Sequence, residues 1–525
     1  MHYLPRSHKL PEWNRRRFLQ STASLPLLPL LEDQVQGIVR TRVVLPESPF
    51  QLGVASGDPA PDGFVIWTRL APKPLEGGGM PAENVQVQWQ VYADEGLTRV
   101  VKKGSSVATP ALGHSIHVEV EGLKPDRWYW YRFRTGTETS PVGRSRTMPA
   151  HDTMPAKLRF AFVSCQHFEH GYFTALGHMA KKDLDLVVHL GDYIYEYAGY
   201  DNRVRKHSGP EITELVHYRN RLAQYRTDAD LQAAHARCPW LVTWDDHEFD
   251  NNCANAISEE AGVAVDAYLR RRANAYQAYY EHMPLRRRSV PRGPDMLLYR
   301  GVQFGRLADF DVLDTRQYRT DQPNGDGNKP LEGKVFDKTA TLLGDIQEKW
   351  LTSRLQDSPC RWNILAQQVM MARVDRTPGE PRNYSMDQWA GYDVPRTRLL
   401  QFLQDRQVSN PVVLTGDIHK NWVNDLKIDF NRPEQPTVAT EFVGTSITSG
   451  GDGMEKTPDH AGVVAENPFV RFYNGERGYV ECTVTPKQWH SDYQVVPYVT
   501  RPGAPLVRRA RFTIQNGRPG ATRTG

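Results

Sequence analysis

The densest group of potential metal ligands in this chain is the segment WDDHEFDNN at residues 244–252. Acidic side chains this close together repel one another unless a positive charge lies among them. Oxygen-rich ligand sets suit Ca²⁺, Mg²⁺ or Mn²⁺, whereas imidazole and thiolate ligands suit softer ions. The segment therefore predicts a metal site, and it is a stronger signal than a lone aspartate.

Two further segments combine ligand types in a similar way. In VVHLGDYIYEY, Asp192 ends an apolar run and Tyr195 follows three residues later. In GDIH, Asp417 and His419 lie on the same side of an extended segment. A carboxylate can bridge two metal ions, and a phenolate can complete the coordination of the harder ion. Taken alone, each segment also fits an ordinary role, with the carboxylate satisfied by turn amides and the tyrosine packed in the core.

Cys165 and Arg316 are single residues that could add to such a site. Cys165 ends another apolar run, and a thiolate is a plausible ligand for a transition metal. Its alternative role is that of a small buried apolar residue. The guanidinium of Arg316 matches phosphate oxygens, so this residue is a candidate substrate clamp. Its alternative role is a salt bridge to Asp311 or Asp314.

The apolar runs that precede these segments are predicted to be strands of an α/β (α+β) core. Strand, helix and strand in succession predict a crossover connection, which places the ends of both strands at one edge of a sheet. In such folds the carboxyl ends of strands and the following loops form the site. The predicted strands cover residues 158–165, 187–190, 240–244, 306–313 and 411–415.

The pattern is different between residues 40 and 150, where short segments alternate apolar and polar residues with period two. Turn clusters such as DPAPDG at residues 58–63 separate these segments. This spacing predicts an antiparallel β-sandwich of the immunoglobulin or fibronectin type. No cluster of potential catalytic side chains occurs there, so we interpret it as a structural or substrate-restricting module.

Composition narrows the functional class further. The 525 residues exceed what one compact core usually holds, so two or more domains are expected. The net charge of +4 is small for this length and gives no support for a specific nucleic-acid partner. The five cysteines are an odd number at scattered positions, which does not indicate a disulfide framework.

The N-terminus resembles an export signal. The basic segment NRRRFLQ at residues 14–20 precedes the short apolar segment STASLPLLPLL at residues 21–31. That segment is shorter than the ~20 residues that a membrane-spanning helix needs. The paired arginines before Phe18 resemble a twin-arginine signal, which would make the twin-arginine export machinery a partner. The alternative is a basic segment before an amphipathic helix, and no other segment predicts a stable membrane span.

Together these motifs resemble the PhoD-like alkaline phosphatases, relatives of the purple acid phosphatases and the calcineurin-like metallophosphoesterases. The resemblance covers almost the whole chain. It implies a signal and leader at residues 1–38, an N-terminal β-sandwich at 39–150 and a catalytic domain at 151–525 whose β-sandwich core is flanked by helices. The motifs that carry it are FVSCQ at 162–166, GDYIYE at 191–196, WDDHE at 244–248, LDTRQYR at 313–319, GDIH at 416–419 and EFVGTS at 441–446.

The resemblance also implies Fe³⁺ and Ca²⁺ as cofactors, with a role for each candidate residue. His247 and Arg316 would contact the phosphate, and His247 could protonate the leaving alkoxide. The resemblance does not decide whether Asp245 or Asp246 is the ligand on the calcium side, and it does not decide between Asn251 and Asn252. The implied metal ligands are Cys165, Asp192 and Tyr195 for Fe³⁺ with Asp192 bridging, Asp417 and His419 completing the cluster, and Asp245, Asp246 and Asn252 on the calcium side.

One position departs from the expected pattern. Related sequences are expected to have Trp-Asp-Gly-Tyr near residues 387–392, and here Ala390 stands in place of that aspartate. If this position helps to recognise the substrate, specificity differs from that of the relatives.

The predicted function is a periplasmic or extracellular hydrolase that releases phosphate from small organic phosphate esters, as a phosphomonoesterase or phosphodiesterase. Bound ions would polarise the phosphoryl group, generate a hydroxide and neutralise the leaving oxygen. One alternative is a phospholipase D-like phosphodiesterase acting on phospholipid headgroups. Another is a non-catalytic metal-binding surface protein on a decayed enzyme scaffold, although the joint presence of Cys165, Asp192 and His419 argues against decay.

Overall fold

The computed structural model of the protein describes residues 39–40 and 47–525. The export signal and leader predicted at residues 1–38 therefore lie outside the described residues. None of the helices within the described ranges combines the length and the apolar character needed to cross a bilayer.

Strands and helices alternate through most of the chain. The first strands are β1 Val39–Arg40, β2 Val54–Ala60, β3 Gly63–Arg69, β4 Asn84–Tyr92, β5 Val100–Ala108, β6 Ser115–Val120, β7 Trp128–Thr135, β8 Glu138–Thr139 and β9 Gly143–Arg146. The later strands are β10 Leu158–Val163, β11 Leu186–His189, β12 Trp240–Val242, β13 Arg300–Phe304, β14 Ala308–Val312, β15 Asn328–Lys329, β16 Trp362–Ala366, β17 Tyr384–Ser385, β18 Pro411–Thr415, β19 Asn421–Leu426, β20 Ala439–Val443, β21 Val470–Asn474, β22 Arg477–Val484, β23 Gln488–Val496, β24 Val507–Gln515 and β25 Arg518–Arg523. The α-helices are α1 Thr174–Ala180, α2 Leu215–Arg226, α3 Ala229–Arg237, α4 Val265–His282, α5 Gly344–Asp357, α6 Asp393–Asp405 and α7 His460–Glu466.

The N-terminal strands divide between two sheets. Strands β1, β4, β5, β7, β8 and β9 form a six-stranded sheet, while β2, β3 and β6 pair with one another in a second sheet. Apolar residues of both sheets, such as Val87 and Phe133 from one and Phe64 and Ile66 from the other, form one buried cluster. The second sheet continues into the part of the chain after residue 150, because β2 pairs in parallel with β12. Strand β3 is therefore buried along its whole length, as expected for a strand covered on both faces.

Two large sheets face each other at the centre of the molecule. One has ten strands in the order β25-β24-β23-β22-β10-β11-β12-β2-β3-β6, and the other has seven in the order β13-β14-β16-β18-β20-β19-β21. Phe160 and Phe162 of β10 point into the cluster between the sheets, where the Phe160 ring meets Phe310 at a centroid distance of 5.2 Å. Ala161 and Val163 point to the opposite face, where helices α1 to α4 pack. Because side chains alternate between the two faces of a strand, β10 contributes apolar residues both to the cluster between the sheets and to the cluster under the helices.

Helices α5, α6 and α7 cover the outer face of the seven-stranded sheet. The architecture is a mixed α and β fold with helices on the two outer faces. Strands β10, β11 and β12 run parallel in one sheet, and β14, β16, β18 and β20 run parallel in the other. An isolated parallel bridge between Ser164 and Ser446 joins the two sheets where β10 and β20 end. The loops that carry the predicted ligands therefore meet at one edge of the molecule's core.

Candidate metal centre

The loops that follow these strands have an unusual backbone conformation. Cys165, Asp192, Asn252, Asp417 and His419 all have positive φ angles, between 46° and 60°. Left-handed backbone is uncommon for residues other than glycine, and such conformations concentrate at functional sites because the surrounding structure must hold them. Five of the eight residues predicted as metal ligands therefore lie in turns that re-aim a side chain at the end of a strand.

A close packing of two loops brings their ligands together. Gly191, which precedes Asp192, has a φ of +108°. A Cβ atom at this position would lie 2.4 Å from the Cβ of Asp245, so only glycine allows this approach. The loop after β11 consequently lies directly against the loop after β12.

The first ligand group combines sulfur, oxygen and nitrogen. One donor atom from each of Cys165, Asp192 and His419 lies within 4.8 Å of the others. The hydroxyl of Tyr195 lies 3.0 Å from Asp192 Oδ2 and 3.2 Å from His419 Nε2, so the phenol belongs to the same group. Ser449 Oγ donates to this hydroxyl at 2.6 Å and holds the ring in place.

Two further groups are rich in carboxylates. Asp192, Asp246 and His247 form one, and Asp245, Asp246 and Asp417 form the other, again with donor atoms within 4.8 Å of one another. Asp192 is shared by the first two groups and Asp246 by the last two. The sequence did not decide between Asp245 and Asp246 as a ligand, and in the structure both lie in the cluster.

The charges of the cluster fit the binding of cations. Oδ1 of Asp192 and Oδ2 of Asp245 are buried without a hydrogen-bond partner. Burial raises the pKa of Asp192 well above its usual value, against the opposing effect of His247, and burial raises the pKa of Asp417 to about 6. Buried carboxylates without partners are costly, and a bound cation would remove that cost. The mixed donor set suits a transition metal, and the oxygen-rich sets suit a hard cation.

Arg316 lies among these carboxylates with its side chain fully buried. Its guanidinium donates to Asp387 at 2.9 Å and to Asp417 at 3.4 Å, and it also pairs with Asp245. Asp314, one of the two alternative partners considered from the sequence, accepts the backbone N–H of Arg316 at 3.0 Å but does not bond to its guanidinium. The other, Asp311, pairs instead with Arg354. The predicted substrate clamp is thus positioned at the acidic end of the cluster.

His247 is oriented by a carboxylate from another loop. Its Nδ1 donates to Glu196 Oε2 at 2.9 Å, which leaves Nε2 for the site. Its ring also packs against the ring of Tyr195 at a centroid distance of 4.2 Å. The imidazole therefore keeps its Nδ1 proton and has a defined ring plane beside the first ligand group.

The side-chain NH₂ groups of the two asparagines in the acidic segment bond to acidic residues outside the three ligand groups. The side-chain amide of Asn252 donates to Asp326, and that of Asn251 donates to Glu259 at 2.6 Å. The backbone N–H of Asn252 donates to Asp246 Oδ2 at 2.7 Å. Asn252 thus supports Asp246, and its assignment as a metal ligand stays a prediction.

Several residues at the site were not assigned from the sequence. Asp387 is buried and accepts from both Arg316 and Arg319. Glu248 accepts backbone N–H groups from two loops. Glu196 and Glu248 belong to motifs already noted, but nothing in their spacing distinguishes them from surface acids. Ala390, where an aspartate was expected, packs in an apolar cluster with Val335, Tyr384 and Met386.

Two facing sheets whose strand ends converge on clustered carboxylates, a thiol and imidazoles define a metal-dependent hydrolase. The family described as PhoD-like phosphatase matches residues 160–493, and its N-terminal domain family matches residues 39–149. The chain belongs to the PhoD-like phosphatase family, and it is a phosphoester hydrolase. The resemblance drawn from the motifs is confirmed.

Similar proteins support the same conclusion. Alkaline phosphatase D of Bacillus subtilis (strain 168) is 51% identical over 517 residues, which cover 97% of this chain and 88% of that protein. A solved structure described as the structure of PhoD is 52% identical, with a TM-score of 0.90 over 92% of this chain and 93% of that one. Membership of this phosphatase family implies metal dependence, in agreement with the ligand groups described above.

Proposed function

We propose that the protein is an exported alkaline phosphatase that hydrolyses phosphate esters with bound Fe³⁺ and Ca²⁺. The observation that carries this proposal is the adjacency of a mixed sulfur, oxygen and nitrogen donor set and a carboxylate set that share residues. The softer donors suit iron and the carboxylates suit calcium. The proposed ligands are Cys165, Asp192, Tyr195 and His419 for Fe³⁺, and Asp192, Asp245, Asp246, Asn252 and Asp417 for Ca²⁺.

Bound at these positions, the ions would activate water and neutralise charge on the phosphoryl group. The chain's own residues would bind the ester and handle the proton. Arg316 is buried beside the carboxylates, and once cations neutralise these its guanidinium can bind phosphate oxygens. The protonated imidazole of His247 would donate its Nε2 proton to the leaving alkoxide, while its Nδ1–H stays hydrogen-bonded to Glu196.

The substrate class is proposed to be small phosphate monoesters and diesters. A parallel assay of a p-nitrophenyl monoester, its bis-ester and phosphatidylcholine, with elemental analysis of the same preparation, tests this proposal. We expect hydrolysis of the small esters by protein that contains iron and calcium. Activity on the lipid alone would favour the phospholipase D-like alternative. A protein that contains neither metal and stays inactive after both are supplied would favour a non-catalytic role.

We further propose export by the twin-arginine route to the periplasm or the cell exterior. The domains would then be the signal and leader at residues 1–38, the β-sandwich module at 39–150 and the catalytic domain at 151–525. The family matches at 39–149 and 160–493 support these bounds. Replacing Arg16 and Arg17 together by lysine should retain the protein in the cytoplasm, as measured by fractionation. Unchanged export would contradict the twin-arginine assignment.

A further inference from the structure

We propose that Glu248 is a positioning residue that locks together the two loops carrying the central carboxylates. Its Oε2 accepts the backbone N–H of Asp192 at 3.0 Å and that of Asp245 at 2.7 Å. Its Oε1 accepts the backbone N–H of Tyr193 at 2.5 Å. One carboxylate thus binds three amides from the loop after β11 and the loop after β12.

In its environment, the carboxylate of Glu248 is bound by these backbone amides and not by a positively charged side chain. Only 3% of the residue is exposed. Among the ion pairs of the described residues, none joins this carboxylate to a lysine, arginine or histidine within 4.0 Å. A buried carboxylate is costly unless hydrogen bonds compensate it, and charge-assisted bonds from backbone N–H groups are strong. Three converging amides offset part of that cost.

The two loops meet in the group of Asp192, Asp246 and His247, and each also contributes to a group that the other does not enter. Asp192 lies in the group with Cys165 and His419, whereas Asp245 lies in the group with Asp246 and Asp417. The spacing between the groups therefore depends on how the two loops are held. Gly191 allows the loops to touch, and Glu248 fixes their relative position by hydrogen bonds. This inference rests on the proposed function, because the spacing matters only if both groups bind ions.

Replacing Glu248 by glutamine tests the inference with little change in shape. A glutamine side chain has one acceptor oxygen and one NH₂ group that can only donate. If its oxygen takes the position of Oε2, its NH₂ faces the N–H of Tyr193. If the amide is reversed, the NH₂ faces the amides of Asp192 and Asp245. In either orientation at least one buried N–H loses its acceptor and opposes another donor.

Glu441 offers a matched control. It is fully buried and accepts the backbone N–H groups of Met371 at 2.6 Å and Ala372 at 3.0 Å. Glu441 also accepts from Thr415 Oγ1 at 2.8 Å and Asn424 Nδ2 at 2.9 Å, and none of these four donors belongs to a proposed ligand. Glu441→Gln therefore reproduces the generic cost of weakening a buried, amide-binding carboxylate without moving Asp192 or Asp245.

The experiment compares wild type, Glu248→Gln and Glu441→Gln by metal content during dialysis against increasing chelator, by kcat with excess iron and calcium, and by Tm after metal removal. Loss of a partner that orients a metal ligand typically weakens metal affinity about 10–100-fold. We expect a loss of this size, with a lower kcat, for Glu248→Gln alone. The metal-free Tm values of the two variants should be similar.

Metal retention and kcat of Glu248→Gln within twofold of wild type would overturn the inference. A metal-free Tm far below that of Glu441→Gln, with loss of near-UV circular dichroism, would also overturn it, because Glu248 would then act in folding in general. Wild-type protein that neither retains metal nor hydrolyses esters would instead contradict the proposed function. The two failures are therefore distinguishable.

Discussion

His247 and Glu196 form a buried pair in which Nδ1 of the imidazole donates to the carboxylate at 2.9 Å. The two residues are 51 positions apart and lie in the loops after β12 and β11. The pair holds the proton on Nδ1 and leaves Nε2 as the group that can exchange a proton with a substrate.

The first prediction concerns the leaving group. A general acid typically contributes about 10²–10⁴-fold to the rate, but only where the leaving oxygen needs a proton. We expect His247→Gln to lower kcat for an alkyl phosphate far more than for a p-nitrophenyl ester, whose leaving group is stable as an anion. Steady-state kinetics on both substrates measure this difference. Glu196→Gln should show the same dependence to a smaller degree, and equal losses on both substrates would contradict a proton-donating role.

The second prediction concerns the shared carboxylate. Asp192→Asn removes a charge that two ligand groups have in common, so turnover should be nearly abolished. Metal affinity should fall by more than the ~10–100-fold loss that follows when only a partner of a ligand is removed. Kinetics and elemental analysis check both effects. A variant that retains most of the wild-type rate would refute the assignment.

Asp192→Asn also has an expected effect on the metal-free protein. Burial and neighbouring carboxylates disfavour the charged form of Asp192, as its raised pKa indicates, although His247 opposes this effect. Without metal, the Asp192→Asn protein, whose side chain is neutral, should therefore unfold at a higher Tm than the wild-type protein. Thermal unfolding in the presence of chelator measures the difference. A lower Tm would show that the carboxylate stabilises the fold even without a cation.

The third prediction tests the contact between the two loops. Gly191→Ala combines a left-handed backbone, which costs about 1–3 kcal/mol for other residues, with a Cβ only 2.4 Å from that of Asp245. Gly503→Ala is the control, since Gly503 has a φ of +85° and no atom within 4 Å of an added Cβ. Urea unfolding should show a further loss of about 1–3 kcal/mol for Gly191→Ala, the usual cost of overpacking. Equal losses would exclude the contact as the cause.

The fourth prediction concerns metal removal. Dialysis against a chelator should abolish activity and lower Tm, because the partnerless oxygens of Asp192 and Asp245 then remain uncompensated. A ligand at 1,000 times its Kd stabilises the folded state by about 4 kcal/mol. Iron and calcium supplied together should restore both properties, and either ion alone should restore them only in part. Full activity after complete removal of metal would contradict the proposed function.

The sequence by itself determined the order and chemical type of the site segments. The continuous apolar runs predicted β10 and β11, and the residues directly after them predicted where Cys165 and Asp192 would lie. These are local properties, because side-chain alternation along a strand decides its two faces, and turn chemistry decides where it ends. The motif types and their spacing were also sufficient to identify the family.

Only the tertiary structure decided which residues act on one another. Arg316 pairs with Asp245 and Asp387, each 71 positions away, and not with the nearby aspartates that the sequence suggested. Glu248 binds the amide of Asp192, 56 positions earlier in the chain. Such pairs depend on how two sheets stack and how their strand ends are aligned, and these relationships are set by packing of the whole core and not by the local pattern. The sharing of Asp192 and Asp246 between ligand groups follows from the same stacking.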